Sequence, residues 1–338
     1  MEPGPSLSSP TAPRAAAPLR RGEPLKIATR DAYGKALARL GQTMPRIVVF
    51  DADLSGSTKT ALFAKRFPDR FFNMGVAEAN MIGHAAGAAL MGKIPFASSF
   101  AMFATGKAWE QVRQTVAVPN LNVKIVASHA GLTVGEDGTS HQMLEDLALM
   151  RVLPPMTVVV PADAVATEKA IEAVARRVGP CYVRTSRTST AVLYEDAVPF
   201  EIGRALILRD GTDLTIAACG VEVWHAWKAA EVLAAEGIEA RVLDLHTVKP
   251  IDEAAIAAAA EETGAILTVE EHQIQGGFGS AVAEVVVRTR PVPMRLLGVD
   301  GRFGQSGKAE ELLEKYGLTA PHVAAAARAL LRRKKGGG

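Results

Sequence analysis

From Ile27 onward, apolar residues recur at helical spacing in some segments and as short unbroken runs in others, and the two kinds alternate along the chain. Such alternation builds parallel sheets covered on both faces by helices. In the first half the pattern predicts helices over RDAYGKALARLG, AEANMIGHAAGAALMG, GKAWEQVRQTVAV and DAVATEKAIEAVARRVG, the last opened by a capping Asp163. Strands are predicted over RIVVFDAD, NVKIVASH, MTVVVPAD and CYVRTS. Both periodicities vanish in RTSTAVLYEDAVPFEIG, which reads as a linker. A second set follows, with strands over DLTIAACG, EARVLDLH, AILTVEEH and MRLLGVD. Its helices are VEVWHAWKAAEVLAAEG, DEAAIAAAAEETG and GFGSAVAEVVVRT, with two more near AEELLEKYG and PHVAAAARALLRR. The chain is therefore expected to be α/β, with two open, mostly parallel sheet domains over 25–188 and 204–334 and a linker at 189–203. Residues 1–24, rich in Pro, Ala, Ser and Arg, read as a disordered extension, and 335–338 as a glycine tail.

Composition narrows the functional classes. With 338 residues, 48% of them hydrophobic and 22% charged, the chain can fill two cores. Lys and Arg total 38 against 36 for Asp and Glu, a balance that gives no general reason to expect nucleic acid or a membrane surface as partner. No apolar stretch approaches the roughly 20 residues that span a bilayer. Cys181 and Cys219 both lie in strand-like apolar runs, where buried reduced thiols belong, and a reducing, cytoplasmic setting is expected.

Short motifs carry little. GGFGSA, residues 276–281, lacks the third small residue of a dinucleotide fingerprint and reads as tight strand-to-helix packing. GQSG lacks nucleophile-elbow spacing, no Walker loop or metal-ligand spacing is present, and the lone His225 and His246 are assigned no role. ASHAGLTVGEDGTSHQMLEDLA is different in kind. It starts at the carboxyl end of a predicted strand and crowds His129, Glu136, Asp137 and His141 around Gly131, Gly135 and Gly138. Ligands of parallel sheets bind just beyond strand carboxyl ends, and glycines allow close approach, yet a solvated polar turn explains the segment equally well. A second oddity is FFNMGVAEANMIGHAAGAALMG, where the single carboxylate Glu78 begins a run of small and apolar side chains. Taken alone it reads as a helix-terminal carboxylate.

Longer stretches change both readings. VAEANM, PFASSFAMFATGKAWEQVR, GEDGTSHQMLEDLA, VATEKA, VRTSR and VLDLHTVKPID together resemble the pyrimidine-binding and C-terminal domains of transketolases, enzymes dependent on thiamine diphosphate. The likeness runs from about residue 25 to the end. It implies that Glu78 is the carboxyl that shares a proton with N1′ of the cofactor's aminopyrimidine. It places Phe100 and Phe103 against the pyrimidine ring and Asp53 near the cofactor. Arg30, Ser57, His129 and Arg187 fall where the family binds a sugar phosphate, Asp137 where a substrate hydroxyl is recognised, and His141 near the reacting carbons. The implied reaction moves a two-carbon ketol unit from a ketose phosphate to an aldose phosphate.

Part of the family's equipment is missing. Full-length transketolases anchor the diphosphate through Mg²⁺ on an amino-terminal domain, using Gly-Asp-Gly followed by Asn. This chain has no Gly-Asp-Gly, and all four asparagines, Asn73, Asn80, Asn120 and Asn122, precede its acidic Glu136-Asp137-Gly138 turn. The resemblance thus implies a separate amino-terminal subunit carrying the Mg²⁺ ligands, none on this chain, and an α2β2 heterotetramer. The β subunit of a 2-oxo acid dehydrogenase, or a noncatalytic assembly subunit, are the competing expectations.

Overall fold

The computed structural model describes residues 17, 19, 20 and 25–336. Fourteen strands are described in that range. Those of the first half are β1 (Lys26–Ala28), β2 (Ile47–Asp51), β3 (Phe71–Asn73), β4 (Ile94–Ser98), β5 (Lys124–Ala127), β6 (Thr157–Val159) and β7 (Cys181–Arg184). After them come β8 (Ser189–Ala191), β9 (Leu206–Arg209), β10 (Leu214–Ala218), β11 (Ala240–Asp244), β12 (Thr247–Lys249), β13 (Ile266–Gln273) and β14 (Met294–Val299). Short apolar runs such as IVVFD and IPFAS are buried along their whole length, as strands covered on both faces must be.

The first sheet has the order β12-β6-β7-β5-β4-β2-β3, and the second β14-β13-β10-β11-β9. Within the first, every pairing is parallel except that of β12 with β6; within the second, only β9 with β11 is antiparallel. The expected pair of mostly parallel α/β sheets is therefore present. The order of strand addition reverses at β2: the path leaves β2 for β3 on one side and returns to β4 on the other. A crevice opens at such a switch, beyond the strand carboxyl ends.

Several features depart from the sequence expectation. The strand Ile94–Ser98 was hidden between two predicted helices, because a five-residue run containing Pro95 carries neither period clearly. The predicted helix over 106–118 begins earlier, at Met102, and is mostly π-helical, with Ala108 N–H reaching Phe103 O at 3.1 Å. The expected linker is tied down at its start: β8 pairs antiparallel with β1, and Asp163 caps helix Ala164–Arg176 through Ala166 N–H while its other oxygen accepts from Leu193 and Tyr194 N–H. At the amino-terminal side Ala17 N–H bonds Ile207 O, Leu19 bridges Tyr194 and Arg20 N–H bonds Leu193 O, so this part of the expected extension is packed; residues 1–16, 18 and 21–24 lie outside the described ones. The last helix, Ala320–Gly336, runs two residues into the expected tail.

The two halves are interlocked. β12 comes from the second half yet extends the first sheet, and a buried polar cluster bridges them. Arg184 donates from Nε to Asp146 at 2.9 Å and from Nη2 to the carbonyl of Glu271 at 3.1 Å, while Tyr182 OH donates to Asp146 at 2.6 Å. Glu271 in turn accepts from Thr133 N–H and Oγ1. Glu270 accepts from Phe278 and Gly279 N–H at 2.6 and 2.7 Å, so the GGFGSA helix start is occupied by the protein's own carboxyl. Among the described residues no helix is long and apolar enough to cross a membrane.

Candidate functional site

The loops after β2, β4, β5 and β7 meet at the switch crevice. Parallel bridging of Phe100 to Ser128, with Ala101 N–H on Ser128 O at 2.7 Å, zips the ends of β4 and β5 together. Phe100 and His129 are thereby held side by side, and their rings stack at 3.7 Å between centroids. His129 adopts φ 58°, a left-handed backbone that turns the chain sharply out of the sheet. Phe103, one turn beyond Phe100, meets His141 edge-on at 5.3 Å. Four rings thus line one wall.

His129 is buried, and its proton position follows from its partners. Arg30 Nη1 lies 3.4 Å from Nε2, and a guanidinium only donates, so Nε2 accepts. The proton then sits on Nδ1, which donates to Ser128 Oγ at 2.8 Å. Burial first, then the charges of Arg30 and Arg187, push the imidazole pKa down to about 3, so the ring is neutral at physiological pH. Arg30, in the first turn of helix Thr29–Thr43, also donates to Ser57 O at 3.1 Å, leaving its Nε without a partner. Burial lowers its pKa, with the charge of Arg187 acting in the same sense. Arg187 donates to Val134 O at 2.5 Å and to Glu136 at 2.7 Å, an ion pair whose acid is largely in solvent. The cluster formed by Arg30, Ser57, His129 and Arg187 is thus net positive, with an unsatisfied guanidinium N–H suited to an anionic oxygen.

Glu78 is the first residue of helix Glu78–Leu90 and only 1% exposed. Its carboxyl does not stand alone in apolar surroundings: Lys107 Nζ, from the π-helical segment Met102–Lys107, lies 2.6 Å from Oε2. Four residues apart on one wide turn, Phe103 and Lys107 place an aromatic face and an ammonium beside the same crevice. A buried carboxyl whose lysine partner sits on the same turn as an aromatic ring fits a planar heterocycle with a basic ring nitrogen.

The remaining candidates scatter. Asp53, at φ 62°, is exposed and accepts from Asn73 Nδ2 at 2.9 Å; the buried acid of that loop is Asp51, held by Thr58, Thr60 and Leu54 N–H. Asp137 is exposed, at the end of the 3-10 segment Leu132–Asp137. His141 is half-buried, with Nδ1 on Ser140 Oγ at 2.9 Å. The glycines of this loop serve the domain contact: at φ 81° a Cβ on Gly131 would strike Glu271, and at φ 69° one on Gly138 would strike Ser306. Thr139 Oγ1 bonds Gly304 O, and Gln142 Nε2 bonds Gln305 O, so the second domain holds the loop in place. Lys107 and this bracing escaped the sequence reading. A lysine in GKAWEQVR looks like any solvated helix cation, and contacts across 163 positions leave no local pattern. Among the described residues no group of three or more His, Cys, Asp or Glu is placed to hold a metal ion.

Ring-stacking side chains, a buried carboxyl and a basic cluster thus gather at the carboxyl edge of a parallel sheet. Residues 25–191 match the family "Transketolase, pyrimidine binding domain" and residues 203–323 match "Transketolase, C-terminal domain". The chain belongs to the transketolase family. It is 53% identical over 299 residues to a Methanocaldococcus jannaschii chain provisionally named a transketolase C-terminal section, covering 87% of this chain and 93% of that one. Human transketolase is 43% identical over 310 residues, but these make up 90% of this chain and only 49% of the human protein. A solved split-gene transketolase, described as an inactive beta4 tetramer, superposes with TM-score 0.83 at 51% identity, covering 91% of this chain and 99% of its own.

Proposed function

We propose that this chain is the carboxyl-terminal subunit of a two-chain transketolase, transferring a two-carbon ketol unit between sugar phosphates once a diphosphate-binding subunit joins it. The observation that carries the reading is the buried Glu78 carboxyl, paired with Lys107 on the same short segment that presents Phe103 beside Phe100. Thiamine diphosphate, when bound, supplies the nucleophilic carbon and stores the electron pair released when the donor's carbon bond breaks. Glu78 holds the proton shared with the pyrimidine ring nitrogen, and burial keeps that exchange away from water. Phe100 and Phe103 orient the ring. Arg30, Arg187 and neutral His129 orient the substrate's anionic end, with Ser57 beside them; Asp137 recognises a hydroxyl, and His141 stands near the reacting carbons. Asp53, exposed beyond β2, stands near the cofactor.

Mg²⁺ and the diphosphate are assigned to the partner, because this chain matches about half of the full-length human enzyme. An α2β2 assembly in the cytoplasm is the arrangement we expect. The test is to assay the purified chain alone and with the amino-terminal chain, supplying thiamine diphosphate, Mg²⁺, a ketose phosphate and an aldose phosphate. Activity only in the mixture supports the reading; release of CO₂ from a 2-oxo acid would support a dehydrogenase subunit, and full activity of the lone chain would refute the split. A sulfonated ketose belongs in the same assay, since a Clostridium relative 43% identical over 305 residues is named a 6-deoxy-6-sulfo-D-fructose transketolase subunit.

A further inference from the structure

We infer that Lys107 is a displaceable counter-ion that occupies Glu78 until the aminopyrimidine arrives, and so sets cofactor affinity. This rests on the functional reading above and deepens it. The two partners differ sharply in freedom. Glu78 is fixed at a helix start with its side chain 1% exposed, whereas the Lys107 side chain is 51% exposed and can withdraw into water at little cost. At 2.6 Å the ammonium makes a charge-assisted bond to Oε2 and so takes up an acceptor position of the carboxyl. A ring nitrogen that shares a proton with this carboxyl needs the same accepting edge. The bond to Lys107 and the bond to the ring are therefore in competition, and the lysine is the partner that moves. The π turn has a structural part in this. The i→i+5 bond from Ala108 N–H to Phe103 O widens the helix where Lys107 and Phe103 project, so ring and ammonium share one short segment.

The experiment uses the assembled two-chain protein and thiamine diphosphate with Mg²⁺ as probe. Lys107→Met keeps the apolar stem and removes the charge; Lys107→Gln can still donate a neutral hydrogen bond, and Lys107→Arg keeps the pair. Calorimetric titration is expected to give a dissociation constant about two- to five-fold lower for Lys107→Met than for wild type, with Lys107→Gln between them and Lys107→Arg near wild type. Without cofactor the Met variant should melt below wild type, because Glu78 is left unpaired. Saturating cofactor should close that gap, a difference that a merely structural lysine would not produce. Unchanged or weaker binding by both Lys107→Met and Lys107→Gln would overturn the inference while leaving the functional reading intact. Failure of the wild-type assembly to bind the cofactor at all would overturn both.

Discussion

Replacing Glu78 with Gln separates folding from chemistry. Gln matches the size of Glu and can still accept from Lys107 through its amide oxygen, so the crevice keeps its shape. What is lost is the charge-assisted part of a bond whose lysine side is 51% exposed and therefore screened. Half-exposed pairs of this kind contribute about 0.2–1 kcal/mol, and removing a buried carboxylate also relieves some desolvation, so the two changes partly cancel. The melting temperature should then move by no more than about 2–4 °C in either direction. The proton shared with the pyrimidine nitrogen cannot be held by an amide, and losing one positioned proton carrier lowers turnover by about 10²–10⁴. The assay is ketol transfer by the chain assembled with its diphosphate-binding partner at saturating cofactor, alongside calorimetric melting of the same preparation. An assembled Glu78→Gln variant with turnover within ten-fold of wild type would refute the assignment of Glu78, and with it the reading of the crevice.

Other perturbations separate the site from its scaffold. Arg184→Met leaves Asp146 and Glu271 buried without their cation, and breaking such a pair costs about 3–5 kcal/mol, so the variant should melt well below wild type or fail to fold. Arg30→Gln or Arg187→Gln should raise KM for a phosphorylated ketose about ten- to a hundred-fold with a smaller change in kcat; a kcat effect alone would contradict the anion site. Two of the buried groups act on the pH dependence of stability in opposite senses. His129, with its pKa pushed down to about 3, binds a proton in the unfolded chain below about pH 6.5 but not in the folded one, so its contribution is lost as pH falls from about 6.5 towards 3. Asp244 is fully buried with one oxygen unpaired and the other accepting from Tyr194 OH, and burial raises its pKa to about 8. There the folded state binds the extra proton, so stability falls as pH rises from about 4 to 8. Between pH 6.5 and 8 the acid acts without the opposing imidazole, and Asp244→Asn should flatten the decline in denaturant midpoint over that window; an unchanged slope would contradict it.

The amino-acid pattern carried the architecture, because burial on both faces writes unbroken apolar runs for strands and 3.6-residue stripes for helices. It failed where neither period is long enough to read, at Ile94–Ser98, and where local rules are broken, in the π turns between Met102 and Ala117. Among the candidate site residues, Glu78 and Phe100 could be singled out because each stands within a family-like stretch, and His129 because it follows a predicted strand. Their company could not. That Lys107 pairs with Glu78, that Arg187 is held by Glu136, and that Asp51 rather than Asp53 is the buried acid of its loop all depend on contacts closed by folding. The same holds for Gly131 and Gly138, whose missing side chains admit Glu271 and Ser306 of the second half rather than a ligand. Chain chemistry by itself determined which groups are available and which elements carry them. Distance, burial and partner decide what each group does, and those exist only once strands separated by scores of residues lie side by side.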